Sequence, residues 1–99
     1  MPPSAPHDST AAMLPTPHPQ VVARTLPDGA VLFHPATETY FGLNATGTLV
    51  WEAMVDGARD VDAVVARLAA AHPEVAPDVL RGDVVALLAE LDAAGLVQA

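Results

Sequence analysis

The pattern of apolar and polar positions divides the chain into three stretches. From Val21 onward, short apolar runs are broken by turn residues. Val21 to Thr25 predicts a first strand, "PDG" (Pro27, Asp28, Gly29) a turn, and Ala30 to His34 a second strand. Pro35 to Glu38 forms the next turn and Thr39 to Leu43 the third strand. In the first turn Pro presets φ and Gly accepts a positive φ. Strands this short, joined by loops this short, predict an antiparallel meander. By period 2, Thr39, Phe41 and Leu43 share one face of the third strand and Tyr40 and Gly42 the other. Phe41 and Leu43 are expected in the core, with Val31 and Phe33, or Leu32, from the second strand.

The spacing then changes from 2 to 3.6. Asn44 is a suitable N-cap for a helix from Ala45 to about Val55, ended by Asp56-Gly57. Asp60 caps a second helix, Val61 to about Ala71, stopped before Pro73. A third begins near Pro77 and runs to about Ala94, where Gly95 ends it. Leu80, Val84, Leu87, Leu88 and Leu91 form its apolar stripe. Val61, Val64, Val65 and Leu68 form that of the second helix, and Leu49, Val50, Ala53 and Met54 surround Trp51 on the first. The predicted order is β-β-β-α-α-α: an α+β domain with a three-stranded antiparallel sheet and a three-helix, winged-helix-like bundle.

Ahead of this lies "MPPSAPHDSTAAMLPTPHP", with Pro2, Pro3, Pro6, Pro15, Pro17 and Pro19 and no hydrophobic period. Residues 1–19 are therefore expected to be a disordered or polyproline-like lead-in and residues 20–99 the folded domain. The lead-in has neither the basic start nor the apolar run of a secretory signal. No apolar run approaches the ~18 residues of a membrane span. The absence of Cys excludes a disulfide framework and a thiolate metal site, and it fits a cytoplasmic location.

Composition narrows the chemistry. Twelve acidic residues against four Arg, with no Lys, set the formal net charge at −8. Such a surface repels the phosphate backbone, so no nucleic-acid partner is expected. His7, His18, His34 and His72 share no i,i+4 ligand spacing and read as exposed titratable side chains. Thr46 and Thr48 have no base nearby, and Asp60/Asp62 sit at a helix start, where the macrodipole accounts for them. "GLNATG" lacks the Lys and spacing of a phosphate loop. No enzyme, cofactor or metal is expected. What remains is a surface. The third strand, "TYFGL", is an edge without Lys or Pro, and its Gly42 is of a kind found where another chain approaches. That edge either accepts an added peptide strand or is covered by the third helix or the Pro-rich lead-in.

Two motifs sharpen this reading. Leu43, Asn44, Thr46, Gly47, Trp51, Glu52, Asp56 and Gly57 form "LN-x-T-G-x-x-x-W-E-x-x-x-D-G". Asp83, Val84, Leu87, Leu88, Leu91, Gly95, Leu96 and Val97 form "D-V-x-x-L-L-x-x-L-x-x-x-G-L-V". Together with "DGAVLFHPATETYFGLN" before them, they resemble the PqqD family over about Val22 to Val97. The tail resembles the stand-alone members that accompany lasso peptide biosynthesis.

The resemblance implies a peptide chaperone, or RiPP recognition element, with three strands and three helices in a winged-helix arrangement. It implies that the leader of a ribosomally made precursor peptide adds as a strand beside the third strand, against the third helix. The leader is then presented to a modifying enzyme, a leader peptidase in lasso systems or the radical SAM enzyme of pyrroloquinoline quinone synthesis. Carried onto this chain, the binding strand is Thr39, Tyr40, Phe41, Gly42 and Leu43, faced by Val79, Leu80, Asp83, Val84 and Leu87. Leu80, Val84, Leu87 and Leu91 also suit the core. Arg81 and Arg67 are either ordinary solvated cations or partners for leader carboxylates. Asn44 and Thr46 read as helix-start residues and Trp51 as core. The other reading of the topology is a winged-helix DNA-binding or regulatory module, which the acidic third helix opposes.

Overall fold

A computed structural model describes residues 13–98. Its main sheet has the order β2-β3-β4, with β2 at Val22–Leu26, β3 at Gly29–His34 and β4 at Thr39–Asn44. Three helices follow: α1 (Ala45–Val55), α2 (Val61–Ala71) and α3 (Pro77–Ala93). This is the predicted α+β order, with each boundary within one residue of the sequence reading.

The helix ends form for local reasons. Asn44 Oδ1 accepts the Gly47 N–H at 2.7 Å and Asp60 Oδ1 accepts the Ala63 N–H at 2.9 Å, each capping the helix that follows. Both α1 and α3 close in the same way. The N–H groups of Gly57 and Ala58 bond to the carbonyls of Met54 and Ala53, and those of Gly95 and Leu96 to Asp92 and Leu91. Each pattern is a Schellman motif whose glycine takes positive φ, 95° at Gly57 and 76° at Gly95. In the second, Leu96 and Leu91 are both fully buried, so the end of α3 is anchored in the core.

The core lies between the inner face of the sheet and the three helices. Leu32, Leu43, Val50, Trp51, Val64, Leu68, Val84 and Leu91 are among its buried members. Trp51 is thus a core residue. Of the strand residues left open by periodicity, Leu32 is buried while Val31 and Phe33 are only partly so. The register explains this. Leu32 is opposite Phe41 and Ala30 opposite Leu43, whereas Val31 is opposite Gly42 and Phe33 opposite Tyr40 on the outer face. There the Phe33 and Tyr40 rings lie 4.6 Å apart, and Tyr40 is 71% exposed.

Three expectations are corrected. Gly29 does not take a positive φ. It is small because a Cβ there would stand 2.0 Å from the Leu43 carbonyl oxygen, so its absence lets β4 close onto β3. His34 is buried rather than exposed, since it shares the inward parity of Ala30 and Leu32. Its Nδ1 accepts the Ala36 N–H, and its ring lies 4.4 Å from that of His18.

The third concerns the lead-in expected over residues 1–19. Residues 1–12 lie outside the described residues. From Met13 onward the chain is bonded to the domain. Thr16–Pro17 (β1) pairs with Val97–Gln98 (β5), Leu14 N–H bonds to the Arg59 carbonyl, and His18 N–H bonds to that of Leu96. A two-residue strand has no period to detect, and a sheet edge tolerates Pro.

Candidate functional site: a groove along the free edge of β4

The orientation of the β4 backbone follows from the β2–β3 turn. Leu26 and Gly29 face each other across a two-residue loop. The two loop residues are chain neighbours and cannot pair with each other, so the closing pair, Leu26 and Gly29, is a hydrogen-bonded one. Alternation along β3 then directs the peptide groups of Ala30, Leu32 and His34 toward β4. In β4 the groups of Thr39, Phe41 and Leu43 answer them. The N–H and C=O of Tyr40 and Gly42, and the N–H of Asn44, consequently point away from the sheet. The Asn44 carbonyl turns into α1, where it accepts the Thr48 hydroxyl at 2.8 Å. Among the described residues, the third strand of the main sheet is thus a free edge whose outward groups at Tyr40 and Gly42, and the Asn44 N–H, have no partner.

This edge borders a groove of about 400 Å³. One wall is Phe41, Gly42, Leu43 and Asn44 of β4; the floor is Thr46, Gly47 and Val50 of α1; the other wall is Asp83, Ala86, Leu87 and Glu90 of α3. The Asn44 cap sets the angle between strand and helix, and Gly47 lets them meet closely, since a Cβ there would press on Leu43 and Asn44. On α3 the four lining residues recur at i, i+3, i+4 and i+7, one helical face. Phe41 and Leu87 are half-buried, supplying apolar surface open to a guest.

The predicted site residues therefore separate. Phe41, Gly42, Leu43, Asp83 and Leu87 line the groove together. Thr39 and Tyr40 continue the strand beyond it, and Val79 lies on the same face of α3 one turn before Asp83, 54% exposed. Leu80 and Val84 are buried in the core instead, a quarter turn away on α3. Arg81 pairs with Asp62 of α2, and Arg67 with Asp56 at 3.0 Å; neither lines the groove.

Asn44 and Thr46 cap and open α1 and also line the groove, a second role the cap reading left out. Val50, Gly47, Ala86 and Glu90 are further lining residues absent from the expected set. The signal for Ala86 and Glu90 was their helical spacing from Asp83.

The lining holds two carboxylates and no His, Lys, Cys or Ser. Among the described residues no three His, Cys, Asp or Glu side chains group to hold a metal ion. Among the described residues no helix is long and apolar enough to cross a membrane. The chemistry on offer is hydrogen bonding along an edge, apolar contact and negative charge.

No curated protein matches the chain. Among solved structures, "TbiB1 in Complex with the TbiA(beta) Leader Peptide" is similar with a TM-score of 0.75 and 29% identity, covering 83% of this chain and 93% of that one. The family model for Coenzyme PQQ synthesis protein D (PqqD) matches residues 29–97, from the first residue of β3 to the first of β5. The chain belongs to the PqqD family.

Proposed function

We propose that this protein is a non-enzymatic recognition element that holds the leader segment of a ribosomally made precursor peptide and presents it to a modifying enzyme. The guest adds as a strand on β4 and lays alternate side chains into the groove against α3. One observation carries this: the peptide groups of Tyr40 and Gly42 and the N–H of Asn44, without a partner among the described residues, border a groove of about 400 Å³ that exposes Phe41 and Leu87. Backbone bonds supply affinity for any extended chain, and the groove selects among side chains. The six residues of β4 suit a guest strand of similar length. Family membership and the leader-bound neighbour support the same assignment. The enzyme served is a leader peptidase or a radical SAM enzyme.

A DNA-binding role is disfavoured by charge. The exposed side of α3 bears Asp83, Glu90 and Asp92, and its only Arg, Arg81, is paired with Asp62. Fluorescence anisotropy with labelled leaders of the precursors encoded beside this gene is expected to show saturable binding, and generic duplex DNA none. Flat titrations with every such leader would overturn the proposal. Arg81→Gln is expected to change leader affinity by less than about twofold, because its exposed pair with Asp62 contributes little and lies off the groove. A loss of tenfold or more, on the order of a buried charge contact, would return Arg81 to the site.

A further inference from the structure

The groove is charged with one sign. Asp83 and Glu90 flank its apolar middle, Ala86 and Leu87, and no cation lines it. Neither carboxylate has an Arg, Lys or His three or four residues away on α3, and neither makes an ion pair among the described residues. Nor does the fold need them. Both are exposed mid-helix or late-helix residues, and Glu90 lies toward the negative end of the helix dipole, where a carboxylate is unfavourable. Arg81 and Arg67, the cations of α3 and α2, are engaged with Asp62 and Asp56. The formal net charge of −8 deepens the negative potential.

We infer that the guest strand carries Lys or Arg at groove-facing positions on either side of an apolar residue. The inference rests on strand addition at β4 and names the chemistry that this groove selects. Asp83 and Glu90 are seven residues apart on α3, which places them about 10 Å apart along its axis. Same-face residues of an extended guest recur every ~6.8 Å. An apolar side chain seated on Leu87 thus has its same-face neighbours, two residues before and two after, beside the two carboxylates. The spacing leaves about 3 Å, which a long flexible Lys or Arg stem spans. Glu at those positions would face like charge on both sides.

The test uses two fluorescein-labelled synthetic peptides of about twelve residues, long enough to cover β4. They share a Thr/Val frame with one central Leu; residues two before and two after it are Lys in one peptide and Glu in the other. The full chain is expected to bind the Lys-flanked peptide about tenfold more tightly at low salt, a difference that shrinks as salt rises. In the double variant Asp83→Asn, Glu90→Gln the preference is expected to fall below about threefold. Both replacements are near-isosteric and exposed, so folding is retained, as circular dichroism will show.

Failure of the Lys-flanked peptide to bind, equal binding of the two, or a preference that survives the double variant overturns the inference. The underlying reading is judged separately with Gly42→Pro. Charge-independent binding abolished by Gly42→Pro overturns this inference alone. Binding indifferent to Gly42→Pro overturns strand addition as well.

Discussion

Gly42→Pro is expected to weaken leader binding by about 2–3 kcal/mol, a loss of roughly 30-fold to 150-fold. The Gly42 N–H points away from β3 because the two-residue loop closes on a hydrogen-bonded Leu26–Gly29 pair, and that sets the alternation for the whole sheet. Proline at 42 removes this donor and leaves a guest carbonyl unpaired in the groove. The native sheet loses no bond, and a free edge is where strands tolerate proline. The circular dichroism spectrum is therefore expected to stay native while anisotropy titrations lose saturation. Gly42→Ala is the matched control. Beyond its two chain neighbours, no atom of the described residues lies within 4 Å of a Cβ at this position, so affinity is expected to hold within about twofold. Equal losses in both variants would mean that bulk at position 42, and not the missing donor, blocks the guest.

The second large effect is on stability. Gly29→Ala places a methyl group 2.0 Å from the Leu43 carbonyl oxygen, a backbone atom that cannot swing aside. The strands must separate or the turn must shift, at a cost of about 3 kcal/mol. For a domain of this size the thermal midpoint is expected to fall by more than about 10 °C. The displaced strand is the one that bears the free edge, so leader affinity should fall along with stability. A melting curve matching that of the unaltered chain would show that the close approach of Gly29 to Leu43 is not part of the native fold.

These effects show which features were legible in the sequence. Asn44, Asp60, Pro77 and Gly95 announced the helix ends by cap chemistry that acts over a few residues, and the structure uses each of them. The face of β3 was harder to read. "AVLF" is apolar at both phases of a period of 2, so periodicity could not choose between Leu32 and its neighbours; the pairing of Ala30 with Leu43 chose. His34 looked polar and therefore exposed, but its inward parity buries it beside His18. The β1–β5 pairing joins residues at least eighty positions apart through two-residue strands, which carry no local pattern.

The candidate site divides in the same way. The edge strand was visible because "TYFGL" lacks the usual guards of an edge. The stripe of α3 was visible too, although it mixes two faces. Leu80, Val84 and Leu91 go to the core, while Asp83, Ala86, Leu87 and Glu90 turn to the groove. A repeat near 3.6 names both sets, and only the packing of α3 against α2 separates them. Arg81 shows the limit of counting cations. Its partner, Asp62, lies on a different helix, and the ion pair holds it away from the groove.

Amide hydrogen exchange of the chain with and without bound leader, read residue by residue by NMR, tests the central claim most directly. Strand addition on β4 predicts that the amides of Tyr40, Gly42 and Asn44, which point away from the sheet, become strongly protected when the leader binds. Thr39, Phe41 and Leu43, already bonded to β3, should change little. Ala23 and Thr25, the outward amides of the opposite edge β2, should remain as fast as before. Protection that appears at Ala23 and Thr25, or that leaves Tyr40, Gly42 and Asn44 unchanged in a saturated complex, would contradict it.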